Sequence, residues 1–283
     1  MRELHRGIIE QYASVQGRAF YRTVMGDGGW DIHYGLYENS DVSMRDATLA
    51  STNQMLQMVC EISNRESVQQ IVDLGCGSGG STLLLSQQFD ADVTGVDLCP
   101  PHREFAEKAN SLGISERALL HAGSFECMPD EWSGRYDLAW AQESLCHSAR
   151  LSDSVSEAAR VLREDGLFAF SDIMLAESAT REAAQAFADV NAIVRLQKPS
   201  HYRALLGDCG FQIERECDWS EHLESNFQKM IRQIESNDSR LVGEGVTRAH
   251  LDRFLQSLRQ RIQWTRCNVM HWGVFVSRKR RES

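Results

Sequence analysis

Proline is scarce, with four in 283 residues, and neither an internal repeat nor a low-complexity stretch divides the chain. No linker marks a domain boundary, so one large α/β domain carrying an insertion or lid is expected. None of the eight cysteines (60, 76, 99, 127, 146, 209, 217 and 267) stands in a C-x-x-C pair or at zinc-ligand spacing, and no metal site is expected. No apolar run approaches the length of a membrane span and no secretory signal is seen, which points to a reduced, cytoplasmic protein without a membrane partner. Basic residues are outnumbered, with 30 Lys and Arg against 40 Asp and Glu, a formal charge of −10. That balance lacks the positive stripe that tracks phosphates and argues against a nucleic-acid partner. The one basic run, Arg278-Lys-Arg-Arg281, reads as a solvated tail after the last strand.

What the chain does have is Ile71-Val-Asp-Leu-Gly-Cys-Gly-Ser-Gly-Gly80. A short apolar run ends in Gly75, Gly77 and Gly79 before a helix-like Ser81-Thr-Leu-Leu-Leu, the pattern of a strand turning sharply into a helix. Unpaired N–H groups at that helix start, Ser78 among the loop residues, suit an electron-rich ligand. Gly75, Gly77 and Gly80 also satisfy G-x-G-x-x-G, so the glycines alone leave a nicotinamide cofactor and S-adenosylmethionine both open. Asp73 favours the second: its carboxylate would repel a pyrophosphate and suits the ammonium of a methionine moiety. A second buried strand, Val93-Thr-Gly-Val-Asp97-Leu98, ends in an acid 18 residues beyond Gly79, where an acid accepts from ribose hydroxyls.

Strand and helix patterns then alternate, as a doubly wound, mostly parallel sheet requires. Strands are expected at 69–74, 93–97, 118–122, 136–141, 167–171, 211–217 and 271–277. Helices are expected over 1–24, 44–65, 80–88, 101–111 and 153–163, the last opened by a capping box of Ser154 and Glu157; Pro199 or Ser200 opens another, ending at Gly210. The stretch 219–268 holds two helical patterns and no strand signal, a lid inserted before an antiparallel last strand. The resulting division is 1–66 as helical cap and active-site loop, 67–218 as donor-binding core, 219–268 as lid, and 269–283 as last strand and basic tail.

Ligands bind beyond the carboxyl ends of such strands. Phe125 can stack on an adenine while Ser124 meets its polar edge. Glu143 and His147 follow a strand end, where either can orient or deprotonate an acceptor. Trp30, His33 and Tyr34 of the glycine-rich loop, with Tyr37, Trp264 and Trp272, offer ring faces to a sulfonium or ammonium cation.

The core resembles the class I S-adenosylmethionine-dependent methyltransferases, with D-L-G-C-G-S-G as first motif and V-T-G-V-D-L as second. Asp31-Ile-His-Tyr-Gly-Leu-Tyr37, Trp140 to Ser148 and Trp272 to Lys279 resemble the sarcosine/dimethylglycine N-methyltransferases that make glycine betaine. Where that group has a tryptophan followed by Gly-Gly-Glu-Asp-Ile-His, this chain has Asp27-Gly-Gly-Trp30-Asp-Ile-His. The resemblance implies a Rossmann-like seven-stranded sheet, S-adenosylmethionine as donor with S-adenosylhomocysteine as product, and in-line transfer to a small-molecule acceptor, an amine nitrogen of an amino-acid-like substrate. It implies Gln142 near the transferring methyl, and His147, Glu143 and Asp31 with the loop aromatics around the acceptor. Arg22, Arg195 and Arg203 are the candidate partners of an acceptor carboxylate. An O-, S- or C-methyltransferase of natural-product or prenyl metabolism, a nicotinamide oxidoreductase and a non-catalytic S-adenosylmethionine-binding protein stay open, as does a homodimer.

Overall fold

A computed structural model describes residues 6–180, 182 and 196–281. Seven strands form one sheet in the order β3-β2-β1-β4-β5-β7-β6. They are β1 (Gln70–Leu74), β2 (Asp92–Asp97), β3 (Ala118–Ala122), β4 (Tyr136–Gln142), β5 (Leu162–Leu175), β6 (Phe211–Asp218) and β7 (Met270–Lys279). Strands β1 to β5 pair in parallel, and β7 lies antiparallel between β5 and β6, as expected from the alternating pattern. Ile71, Val72 and Leu74 are wholly buried, because helices cover both faces of a parallel sheet and no polar face is left for water. The strand order reverses between β1 and β4, which opens a crevice at their carboxyl ends.

On one face, Phe170 stacks on Phe275 with ring centroids 5.2 Å apart, and Phe168, Tyr202 and Phe211 extend that layer. The helices of the core are α3 (Gly80–Phe89), α4 (His102–Ser111), α5 (Leu151–Val161) and α6 (Pro199–Asp208), after α1 (Val15–Val24) and α2 (Met44–Ile62). Between β6 and β7 the chain forms α7 (Leu223–Gly243) and α8 (Arg248–Arg266). Helix α7 buries Leu223, Phe227, Met230, Ile234 and Leu241, an apolar stripe at helical spacing.

Several expected boundaries move. The N-terminal helix is interrupted: a π-helical turn over Ile9–Ala13 ends at Ser14, whose extended backbone and side chain cap α1 by accepting from Gly17 N. Helix α2 stops at Ile62, and Asn64 caps a separate 3-10 turn at Arg65–Ser67. The expected capping box is not one. Helix α5 begins at Leu151 because the Glu126 carboxylate already holds Arg150 N at 2.8 Å; Ser154 lies inside the helix against Ser148, and Glu157 accepts from Met128 N. The basic run is stitched to the sheet: Arg278 and Lys279 belong to β7, and their side chains donate to carbonyls of Ile62, Asp165 and Leu162.

Among the contacts between α7 and the N-terminal loop, one buried amide makes two. Asn226 of α7, 2 % exposed, accepts from Gly35 N at 2.8 Å and donates to Gly35 O at 2.9 Å. Replacing it leaves two buried backbone groups without partners, each worth about 1–3 kcal/mol. Asn226→Ala is therefore expected to lower the urea-unfolding free energy by about 2–4 kcal/mol, and a loss below about 0.5 kcal/mol would show the loop to be held by other contacts.

Candidate active site

A single cavity lies over the carboxyl ends of β1, β2 and β4 and is roofed by the loop after α1, the π-helical turn and α8. At its sheet end, Asp73 is 2 % exposed and accepts from the Thr82 hydroxyl at 2.7 Å. Burial, with the neighbouring Asp31 and Asp97, pushes its carboxyl up to about 7. Gly75, Cys76, Gly77, Ser78 and Gly80 line the same space. Gly75 N and Cys76 N both donate to Val96 O, which folds the turn back on β2.

Gly79 does not line the cavity. It caps α3 with φ +89°, and a Cβ there would meet Phe105 at 2.4 Å, so its lack of a side chain serves helix packing. The glycine that faces the site is Gly80, where a Cβ would fall 2.0 Å from Asp31 Oδ1. The Asp31 carboxylate thus sits close against the positive end of α3.

Asp97 accepts from Gly77 N and Cys99 N, each at 3.1 Å. Burial raises its carboxyl pKa, opposed by those amides and by Arg18, whose Nη2 donates to Cys99 O at 3.0 Å from across the cavity mouth. Leu98, Ser124 and Phe125 complete this end. Gln142 Oε1 accepts from Ser81, Trp140 and Thr52 at 3.0–3.3 Å, so the amide is fixed. His33, buried beneath it, lies 3.2 Å from Thr52 and 3.8 Å from Asp31.

At the far end, Glu143 has φ +47°, a conformation a non-glycine residue keeps only where its surroundings hold it. Its Oε1 accepts from Ser171 Oγ and Trp272 Nε1, both at 2.7 Å, and Oε2 from Tyr34 N at 3.3 Å. Trp272 itself is wholly buried against Trp219 and Tyr34. It does not line the cavity; it holds the residue that does. Trp30 lines the mouth under the Arg22 guanidinium, 5.1 Å from the ring.

Several lining residues carry no signal in the sequence. Tyr12 places its hydroxyl 3.3 Å from His147 Nε2 and its ring 4.5 Å from that of Tyr21. Arg261 of α8 brings Nη1 to 3.5 Å of the Tyr34 hydroxyl, between the rings of Phe227 and Phe254. Burial keeps these phenols protonated: Tyr34 is pushed up to about 12, and Tyr12 well above the usual phenol range. Of the expected cations, Arg22 does not line the cavity, and Arg203 is engaged on the surface with Glu216 and Glu177. Arg195 lies outside the described residues.

Residues 72–170 match the family model of a methyltransferase domain. The chain is 27 % identical to a sarcosine/dimethylglycine N-methyltransferase of Halorhodospira halochloris, with 95 % of each chain covered. It is 25 % identical to the enzyme of that name from Aphanothece halophytica over the same shares. The chain is an S-adenosylmethionine-dependent methyltransferase. Among solved structures, a putative sarcosine dimethylglycine methyltransferase from Galdieria sulphuraria superposes with a TM-score of 0.87 at 24 % identity, covering 96 % of this chain and all of the other. The methyltransferase's own residues fit such a donor: a glycine turn, a helix N-terminus, the buried Asp73 and the half-buried Asp97.

The same acids shape stability. In the unfolded chain Asp73 titrates near the ordinary value of 3.8, and in the fold at about 7; Asp172, wholly buried under the Tyr202 hydroxyl, behaves alike. Between those pH values the folded methyltransferase holds protons that the unfolded chain has released. The contribution of each acid is therefore most favourable below pH 3.8 and is lost as pH rises to about 7. Asp73→Asn is expected to gain on the order of 2–4 kcal/mol relative to the parent at pH 8, and little at pH 4. Equal urea midpoints for the two proteins at pH 8 would refute the assignment.

Proposed function

We propose that this methyltransferase acts on the amine nitrogen of a small amino-acid-like acceptor of the sarcosine/dimethylglycine type. The observation that carries the reading is Arg261, a guanidinium brought by the lid to the aromatic end of the cavity, where it can meet an acceptor carboxylate in bidentate fashion. The names of the relatives of Halorhodospira halochloris and Aphanothece halophytica point the same way.

When bound, the donor supplies a methyl group on a sulfonium. Asp73 receives its ammonium, Asp97 its ribose hydroxyls, and Ser124 with Phe125 its adenine. Gln142, locked by three donors, faces the transferring carbon, and Asp31 closes the roof over the glycine turn. At the acceptor end, Glu143 and the faces of Tyr12, Tyr34 and Trp30 favour a nitrogen that becomes cationic as transfer proceeds. The nitrogen lone pair forms the new N–C bond while the C–S bond breaks and sulfur keeps its pair. A tertiary amine needs no base for this step; with a secondary amine, His147 beside the Tyr12 hydroxyl can take the proton left on the product. Alignment and exclusion of water by the lid supply the rest.

A second reading rests on a different observation. Ile32, Ile173, Met25 and Phe254 make much of the wall apolar, which suits a hydroxylated acceptor with a hydrophobic body, deprotonated by His147. Turnover of a phenol or polyketide hydroxyl, and none of an amine, would favour it.

The decisive experiment joins calorimetry with S-adenosylhomocysteine to an acceptor screen of glycine, sarcosine and dimethylglycine. Arg261→Ala is expected to raise the acceptor KM about 10- to 100-fold, or 1.4–2.7 kcal/mol, with S-adenosylhomocysteine affinity unchanged and Arg261→Lys intermediate. An unchanged KM, or no turnover of any of the three, would overturn the reading. Because Asp73 must be ionised to meet the ammonium, S-adenosylhomocysteine affinity is expected to weaken below pH 7, by up to about tenfold per unit. A pH-independent Kd between 5.5 and 8 would exclude that pairing.

A further inference from the structure

A second cavity opens between the π-helical turn, α1 and α8. Its outer walls carry Gln16 from the N-terminal side and Arg253, Gln256 and Gln260 from α8. It meets the active-site cavity at four shared residues, Gln11, Tyr21, Phe254 and Arg261. The Gln11 amide donates to the Tyr21 hydroxyl at 2.6 Å, so the residues common to the two spaces are a hydrogen-bonded side-chain pair together with Phe254 and Arg261. Gln11 sits in the π-helical turn, a geometry often found where a helix serves a site.

In-line transfer requires the acceptor to approach the methyl group from the side away from sulfur. A donor held by the glycine turn, Asp73 and Asp97 would lie beside the mouth rimmed by Arg18, Cys99 and Trp30 and would narrow it for a second molecule. An acceptor that joins the donor complex then gains from another way in. The second cavity leads to the opposite end. Its lining holds one carboxylate, Glu10, which is paired with Arg6, against the guanidinium groups of Arg253 outside and Arg261 at the throat and the amides of Gln16, Gln256 and Gln260. That balance suits a hydrated, carboxylate-bearing molecule.

We propose that this cavity is a second mouth of the active site, through which a small carboxylated acceptor reaches Arg261 while the donor or its product occupies the other end. The identity of the traveller rests on the amine reading above; the existence of the passage does not. Two buried cysteines report on it. Cys76 lies under the glycine turn and Cys146 in the acceptor wall, and burial raises both thiols, so access governs how fast each reacts.

The test is iodoacetamide alkylation at pH 9 in the full chain saturated with S-adenosylhomocysteine, read by peptide mass spectrometry. Bound S-adenosylhomocysteine is expected to protect Cys76 and leave Cys146 open, and Gln260→Trp in the passage to slow Cys146 at least about fivefold without changing S-adenosylhomocysteine affinity. Gln256→Trp, also at an exposed position, serves if the first variant melts early. Equal protection of both cysteines, or tryptophan variants that leave Cys146 unchanged, would overturn the proposal. In the same variants kcat/KM for dimethylglycine is expected to fall about tenfold, with S-adenosylhomocysteine inhibition noncompetitive toward the acceptor in the parent. Alkylation as expected with no turnover of dimethylglycine would leave the passage standing and sink the amine reading alone.

Discussion

The carboxylate of Glu143 is the point on which the acceptor end depends. Three donors converge on it from segments far apart in the chain: Tyr34 N from the N-terminal loop, Ser171 from β5 and Trp272 from β7. A carboxylate partly withdrawn from water is costly unless its lone pairs are met, and those of the half-buried Glu143 are met by groups that thereby become fixed themselves. The loop cannot lift without stripping a donor from a charged group, and Trp272 cannot turn without doing the same. One left-handed residue at the end of β4 so couples the cap, the sheet and the strand that follows the lid.

The donor end has the opposite character. Asp31, Asp73 and Asp97 crowd one cavity, and in each of Asp73 and Asp97 burial raises the carboxyl pKa. A cation placed among these carboxylates would offset their mutual repulsion and burial cost. Coupling of this kind spends fold stability on affinity, as preorganised sites commonly do. It also explains why Gly80 and not Gly79 faces the ligand: only at Gly80 can the third acid settle onto the helix end.

How much of this was legible in the sequence follows the range of the interactions. Asp73, the glycine turn and Asp97 lie within 25 residues, and strand-to-helix chemistry fixes their geometry locally, so their alignment along one sheet edge could be read directly. Arg261 and Tyr12 could not. Arg261 meets Tyr34 across 227 residues and Tyr12 meets His147 across 135, and each looks in sequence like any residue of an amphipathic helix. Trp272 was found as an aromatic of the site and misassigned in kind, because its indole N–H, not its ring face, does the work. The capping box at Ser154 failed since a remote carboxylate, Glu126, starts the helix one turn earlier. Helix patterns record which face is buried; they do not record what reaches across to it.

That division has a consequence for specificity. The family model covers residues 72–170, which hold Asp73, Asp97, Gln142, Glu143 and His147. Tyr12, Tyr34 and Arg261 lie outside it, on the cap and the lid. The donor chemistry is thus carried by a compact, locally determined unit, whereas the acceptor is selected by segments that must fold against that unit from both ends of the chain. Substitutions on α8 can alter the charge or width of the acceptor end without touching the glycine turn or its acids. Relatives that share this core are therefore free to differ in what they methylate, and in the reading proposed above it is Arg261, contributed by α8, that selects a carboxylated amine over a bulkier hydroxyl acceptor.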